Sequence, residues 1–291
     1  MPPPSCPASQ QTSPGYQAML PPHLREPHPQ VPLDPNPIYF PVQTYPAAET
    51  PAAAENPGDI RNFIYSDYIK DEIRDFVRRK MIESRIIAYS HHVNANGVAE
   101  PRFLLNMTQA HIVNLPRAIR EQHLPPGFVG GNNHAQRSVL QLVRGLLKHD
   151  RVFLCNLLLK NIVDTSHSKV RAGGVPSLKA LYTLIHNSLL KNAGVHAPRI
   201  NWAMLPMRIK VRFAYLRLET AAHTAKRVTG HGSQWTPIND QLALLSIKPV
   251  NYVRKWAEMI LELDERVFGQ GGIVFASFCH LVRLPTDHEV E

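Results

Sequence analysis

MRIKVRFAYLRLETAAHTAK, residues 207–226, is the stretch whose periodicity decides the fold. Its first half alternates, with Ile209 and Val211 set against the cationic Arg208, Lys210 and Arg212, as a half-buried strand would. Over its whole length a different period holds. Met207, Val211, Ala214, Tyr215, Leu218, Ala221, Ala222 and Ala225 recur at three- and four-residue spacing, and the alternation loses phase at Leu216. The longer period predicts a helix, with Pro206 before it and Gly230 after it in agreement. Ile209, Phe213 and Leu216 occupy a second face, so this helix is expected to be covered on two sides. A helix that reads DNA needs one open cationic face, and this one does not supply it.

The flanking segments carry the same period. Leu178, Leu181, Tyr182, Ile185 and Leu189 form a stripe opened near Pro176 and closed by Gly194. Val253, Trp256, Ile260, Leu263 and Val267 form another after Pro249, and Thr236-Pro237 is read as the cap and first turn of a short helix between them. Thr286-Asp287-His288-Glu289 has the form of a capping box. Upstream, Ser66 is read as the N-cap of a helix running towards the Asn94–Gly97 turn. A second helix is expected from about Thr108 to Gln122, broken or kinked at Pro116. An all-α, irregular multi-helix bundle follows, with at most a short strand at 207–213 or 273–278.

Residues 134–163 oppose an apolar face (Val139, Leu142, Val143, Leu146, Leu147, Phe153, Leu154, Leu157) to a cationic stripe of Arg137, Arg144, Lys148 and Arg151. At 100° per residue the four cations fall within an arc of about 80° over about 21 Å of helix. Asp150 falls inside the apolar face. The preferred reading is a helix break at His149 with Asp150 capping a second helix; the alternative is a buried carboxylate paired with a distant arginine.

Charge and proline divide the chain of 291 residues. Sixteen of the 26 prolines fall in the first 57 residues, which carry one cation against four carboxylates. Proline removes a backbone donor and fixes φ, so residues 1–57 are expected to be a disordered or polyproline-like arm. A small helical subdomain at 58–133 and a main helical domain at 134–291 should follow. The net charge of +9 is local: residues 144–227 carry 15 cations and three anions. Such a block points either to an anionic partner or to a solvated surface that keeps the protein in solution.

No basic start with an apolar run suggests a secretory signal, and no run approaches the ~20 apolar residues that span a bilayer. Three scattered cysteines, Cys6, Cys155 and Cys279, fit reduced thiols, so an intracellular setting is expected, without membrane association. Arg78-Arg79-Lys80 is too short, and too deep in a helix, to choose nucleus over cytoplasm.

Several phrases recur in order: Asn156-Leu157-Leu158-Leu159, Val175-Pro176, Tyr215-Leu216-Arg217-Leu218-Glu219-Thr220, Ser233-Gln234-Trp235 with Ile238-Asn239, Leu263-Asp264 with Phe268, and Arg283-Leu284-Pro285-Thr286. Over roughly residues 135–291 the chain resembles a family of uncharacterised rust-fungus proteins with no assigned activity. The resemblance implies a fungal setting and transfers no catalytic or binding residue.

Chemistry-bearing patterns are sparse. Fifteen histidines lack the spacing of a zinc site, and His91-His92 is read at a helix end, where imidazole complements the helix dipole. Glu258, Glu262 and Glu265 share a face and are read as solvated. Gly232-Ser233-Gln234-Trp235 lacks the second glycine of a nucleophile elbow, and no Gly-Gly pair continues as a phosphate loop. No catalytic residue, metal site or cofactor is therefore assigned. The leading expectation is a non-enzymatic helical interaction or scaffold protein with a protein partner, the proline-rich arm serving as a docking tail. The alternative is sequence-independent nucleic-acid binding through Arg137, Arg144, Lys148 and Arg151, with Lys169 and Arg171 nearby.

Overall fold

Ser66 opens the first helix, α1 (Asp67–Met81), with its hydroxyl accepting from the Ile69 amide at 3.5 Å. Ile69, Ile73, Val77 and Met81, spaced by four, bury one side of it. The computed structural model describes residues 62–90, 93, 96–162, 174–191, 200–226, 233–269 and 282–291. The proline-rich arm, His91-His92, Lys169, Arg171, Gly194, Gly230, Cys6, Cys279 and the apolar segment 273–281 lie outside the described residues.

α1 stops well short of the expected turn at 94–97. Ile86, Ile87, Ala88 and Tyr89 are buried in a non-helical segment instead, and Ala88 bridges Phe103. The Ile87 amide donates to the Arg102 carbonyl at 3.2 Å, and the Leu104 amide to the Ala88 carbonyl at 3.0 Å. These backbone bonds to residues 102–104 take the place of helical ones, so the segment has left α1. Only isolated bridges, and no strand, occur among the described residues.

Pro116 splits the next region into α2 (Leu104–Val113) and α3 (Arg117–His123). α4 (Asn133–Leu158) then runs 26 residues without interruption. α5 (Leu178–Leu190) starts two residues beyond Pro176, capped by the Ser177 hydroxyl, which accepts from the Ala180 amide at 3.3 Å. α6 (Met207–Lys226) is the helix the long period requires. Every residue from Val211 to Leu218 is buried, because α4, α5, α7 and α8 surround it. α7 (Trp235–Leu245) begins one residue before the expected Thr236 cap. Its N-cap position is Gln234, and Trp235 packs against Tyr89 with ring centroids 5.2 Å apart. α8 (Val250–Phe268) buries Trp256, Ile260, Leu263 and Val267 against α6. α9 (Asp287–Val290) carries the full Thr286–Glu289 capping box and docks on α8.

Residues 52–291 form one compact unit. α1 and α2 both pack on α4 across the loop at 124–132, where the sequence suggests a subdomain boundary. No helix among the described residues is long and apolar enough to cross a membrane.

Two arginines of α6 are held inside. Arg212, 8% exposed, donates from Nη2 to the Ser84 carbonyl at 2.9 Å and also to the Ile86 carbonyl. Its Nη1 reaches the Tyr89 hydroxyl at 3.4 Å. Arg217 pairs with Asp264 of α8 and donates to the Pro176 carbonyl at 2.6 Å. Both cations thus sit among oxygens, which offsets part of the cost of removing them from water.

Candidate nucleic-acid interface

The capping of α4 fixes where its faces point. The Asn132 side chain accepts from the His134 and Ala135 amides at 2.8 and 3.2 Å. From there Ala135, Val139, Leu140, Val143, Leu146, Leu147, Leu154 and Leu158 turn inward, against α1, α2, α5 and α6. Removing about 25 cal/mol per Å² of apolar surface from water makes that orientation decisive over any preference of the polar face.

The opposite face is left to solvent. His134, Arg137, Gln141, Arg144, Gly145, Lys148, His149, Val152 and Asn156 are all exposed. No carboxylate lies on it, because Asp150, the only acid of α4, points inward and is fully buried. Arg137, Arg144 and Lys148 form no ion pair or side-chain hydrogen bond among the described residues. Among the described residues, the one contact of this face with an acid is His149 Nδ1, 3.9 Å from Asp150 Oδ1.

The structure separates the fourth cation from the other three. Arg151 is half-buried and donates from Nη1 to the Tyr89 carbonyl at 3.0 Å. Burial pushes its guanidinium pKa down. Arg151 therefore serves the buried 86–89 segment, and the exposed stripe reduces to Arg137, Arg144 and Lys148, spanning about 16 Å at 1.5 Å per residue.

Asp150 does not cap a second helix. The helix runs through it, and its Oδ1 accepts from Arg78 Nε of α1 at 3.0 Å, with the two side chains 0% and 12% exposed. Arg78 also lies 5.8 Å from the Phe153 ring centroid. A partner 72 residues away carries no local signal, whereas a cap does, and that is why the sequence favours the wrong alternative.

Gly145 goes unremarked in a reading of apolar and charged stripes. It sits in mid-helix, on the exposed face. An interior helical glycine costs about 1 kcal/mol relative to alanine, and the mismatch with α4's length is the signal that could have singled it out. A Cβ built there meets nothing within 4 Å.

Elsewhere the chemistry is thinner. No group of three His, Cys, Asp or Glu residues among those described could hold a metal ion. Glu258, Glu262 and Glu265 are exposed along α8, in keeping with a solvated row. A cleft of about 110 Å³ is lined by Tyr215, Glu219, Pro237, Gln241, Trp256, Leu284 and Pro285. Its Tyr215 hydroxyl donates to the Pro237 carbonyl at 3.2 Å, and burial, with Glu219 and Asp240, raises that phenol well above its ordinary pKa. Such a hydroxyl stays protonated and serves as a structural donor.

Comparison with family models, curated proteins and solved structures returns no match.

Proposed function

We propose that this chain is a non-enzymatic helical interaction protein whose contact surface is the solvent face of α4. One observation carries the reading: three cations, Arg137, Arg144 and Lys148, share an exposed helix face that bears no carboxylate and gives them no partner among the described residues. A surface built only for solubility interleaves both signs, whereas a face of one sign attracts the opposite one.

A narrower second reading names the partner as nucleic acid. It is favoured by the near-linear spacing of the cations along about 16 Å, long enough to meet successive phosphates. The face carries no Phe, Tyr or Trp, and its amides are limited to Gln141 and Asn156, so contact falls on the backbone and is independent of sequence.

The test is fluorescence anisotropy of labelled single- and double-stranded DNA and RNA, titrated with the full chain across a salt series. Three phosphate contacts on duplex DNA predict a log–log salt slope of about −2.7. Changing Arg137, Arg144 and Lys148 together to Ala should remove most of the binding. Native protein that binds no polyanion at low salt would eliminate the nucleic-acid reading. Binding that survives the triple change would eliminate this face.

A further inference from the structure

Residues 282–291 meet α8 as an almost self-contained piece. The Thr286 amide and hydroxyl both donate to Glu289 Oε2 at 2.8 Å, and the Glu289 amide donates back to the Thr286 carbonyl at 3.0 Å. Arg283 Nη2 donates to Glu289 Oε1 at 3.1 Å. These bonds shape the turn without help from the longer helices. A helix of four residues is far too short to hold by itself, so α9 stays in place through what α8 offers it.

What α8 and the turn before it offer is a carboxylate receptor beside an apolar seat. Lys248 Nζ stands 4.4 Å from the centre of the Tyr252 ring, and both residues reach Asp287. The Tyr252 hydroxyl donates to Oδ1 at 2.5 Å, and Lys248 Nζ donates to Oδ2 at 3.5 Å. Lys248 is also 3.7 Å from Glu291 Oε1. Val282 and Val290 are buried, while Leu284 and Pro285 wall the cleft that Tyr215, Pro237 and Trp256 line from the other side. The donors and the aromatic rings all come from residues 215–256, and the docked segment supplies the acids and the apolar side chains. Asp287 and Glu291 remain 53% and 68% exposed, so water competes for both ion pairs.

We propose that this face, from Lys248 to Trp256, is a docking site for acidic peptide segments of a protein partner, and that residues 282–291 are a strap occupying it in cis. The partner segment it fits carries an aspartate on a capped turn, a valine three residues further on, and a leucine–proline step just before. The site lies apart from the cationic face of α4 and does not depend on nucleic acid.

The test is anisotropy of a labelled, amidated peptide, VRLPTDHEVE, titrated with full chains. A strap docked about nine-tenths of the time weakens binding of the peptide about tenfold. Asp287→Lys with Val290→Asp changes the strap and leaves the receptor intact. That variant is expected to bind the peptide about tenfold more tightly than the native chain, and to lose the gain when Tyr252→Phe and Lys248→Ala are added. A folded strap variant that binds no better than the native chain overturns the site, and so does binding indifferent to Tyr252 and Lys248. Amide exchange in the native chain covers a strap variant that fails to fold. The Val290 and Glu291 amides should exchange at least about tenfold faster than those of Trp256 and Ile260. Equal rates would mean that the strap opens only with the whole fold, and the proposal would be lost.

Discussion

Arg78 of α1 places its Nε 3.0 Å from Oδ1 of Asp150, a carboxylate wholly withdrawn from solvent in the middle of α4. The two residues hold α1 onto the longest helix. They also keep the only acid of α4 off its cationic face. Asp150 Oδ2 is buried and has no hydrogen-bond partner among the described residues, so the pair is incompletely satisfied. Arg78→Ala would leave the carboxylate without its cation and should cost about 3–5 kcal/mol in urea denaturation. Replacing both residues, Arg78→Met with Asp150→Leu, should recover most of that loss. A single Arg78→Ala variant with native stability would show that the pair does not hold the helices together.

The Arg217–Asp264 pair ties α6 to α8, with side chains 1% and 2% exposed. The guanidinium also donates to the Pro176 carbonyl and lies 4.2 Å from the Phe268 ring centroid. A lysine ammonium cannot span both carboxylate oxygens, reach that carbonyl and stack on the ring at once. Arg217→Lys is therefore expected to lose about 1.5–3 kcal/mol. Amide exchange in the first turn of α5 should quicken, since the Pro176 contact goes with it. Unchanged exchange there would separate Pro176 from the pair.

Arg151 and Lys148 are one turn apart on α4 and should fail in different assays. Arg151→Ala frees the Tyr89 carbonyl and is expected to destabilise the chain by about 1–2 kcal/mol while leaving the salt slope unchanged. Lys148→Ala should leave stability within about 0.5 kcal/mol and make the slope shallower by about 0.9. Weakened binding in a fully stable Arg151→Ala variant would return Arg151 to the stripe.

The docking of α9 should depend on pH at both extremes. Burial and the Asp287 carboxylate, whose Oδ1 accepts from the hydroxyl, raise the Tyr252 pKa to about 12. The hydrogen bond from Tyr252, with Lys248 nearby, holds Asp287 below the ordinary carboxylate range. A raised phenol contributes stability below its unfolded pKa of about 10 and loses it as pH climbs towards the folded value. A depressed carboxylate contributes above about 3.9 and loses its share as pH falls. Difference titration of phenolate absorbance against Tyr252→Phe should show the high value, and Asp287→Asn should move it part of the way towards 10. A Tyr252 midpoint indifferent to Asp287→Asn would show that this hydrogen bond does not set the Tyr252 titration.

Much of the architecture is local and could be read from residues close in sequence. The four-residue spacing from Met207 to Ala225 outweighs the short alternation at 207–213 because helical packing repeats over the whole element, while the alternation covers only its start. Ser66 and the Thr286–Glu289 box are legible for the same reason: cap and capped amide lie three residues apart. The cationic stripe is legible as a pattern too. The end of α1 is not, because Ile86 and Ile87 keep an apolar rhythm while their partners lie in the segment before α2.

The sequence alone determined that the chain is helical, that residues 207–226 are covered on two sides, and that one face of residues 134–158 is apolar and the other cationic. Periodicity and capping depend on neighbours within a turn or two, so they survive without knowledge of the fold. Only the tertiary structure decided that Asp150 meets Arg78, that Arg212 and Arg217 are core residues, and that Arg151 turns to Tyr89 while Arg137, Arg144 and Lys148 have no partner among the described residues. Those choices depend on groups tens of residues away, which packing brings within hydrogen-bond distance, and burial then makes the pairing obligatory.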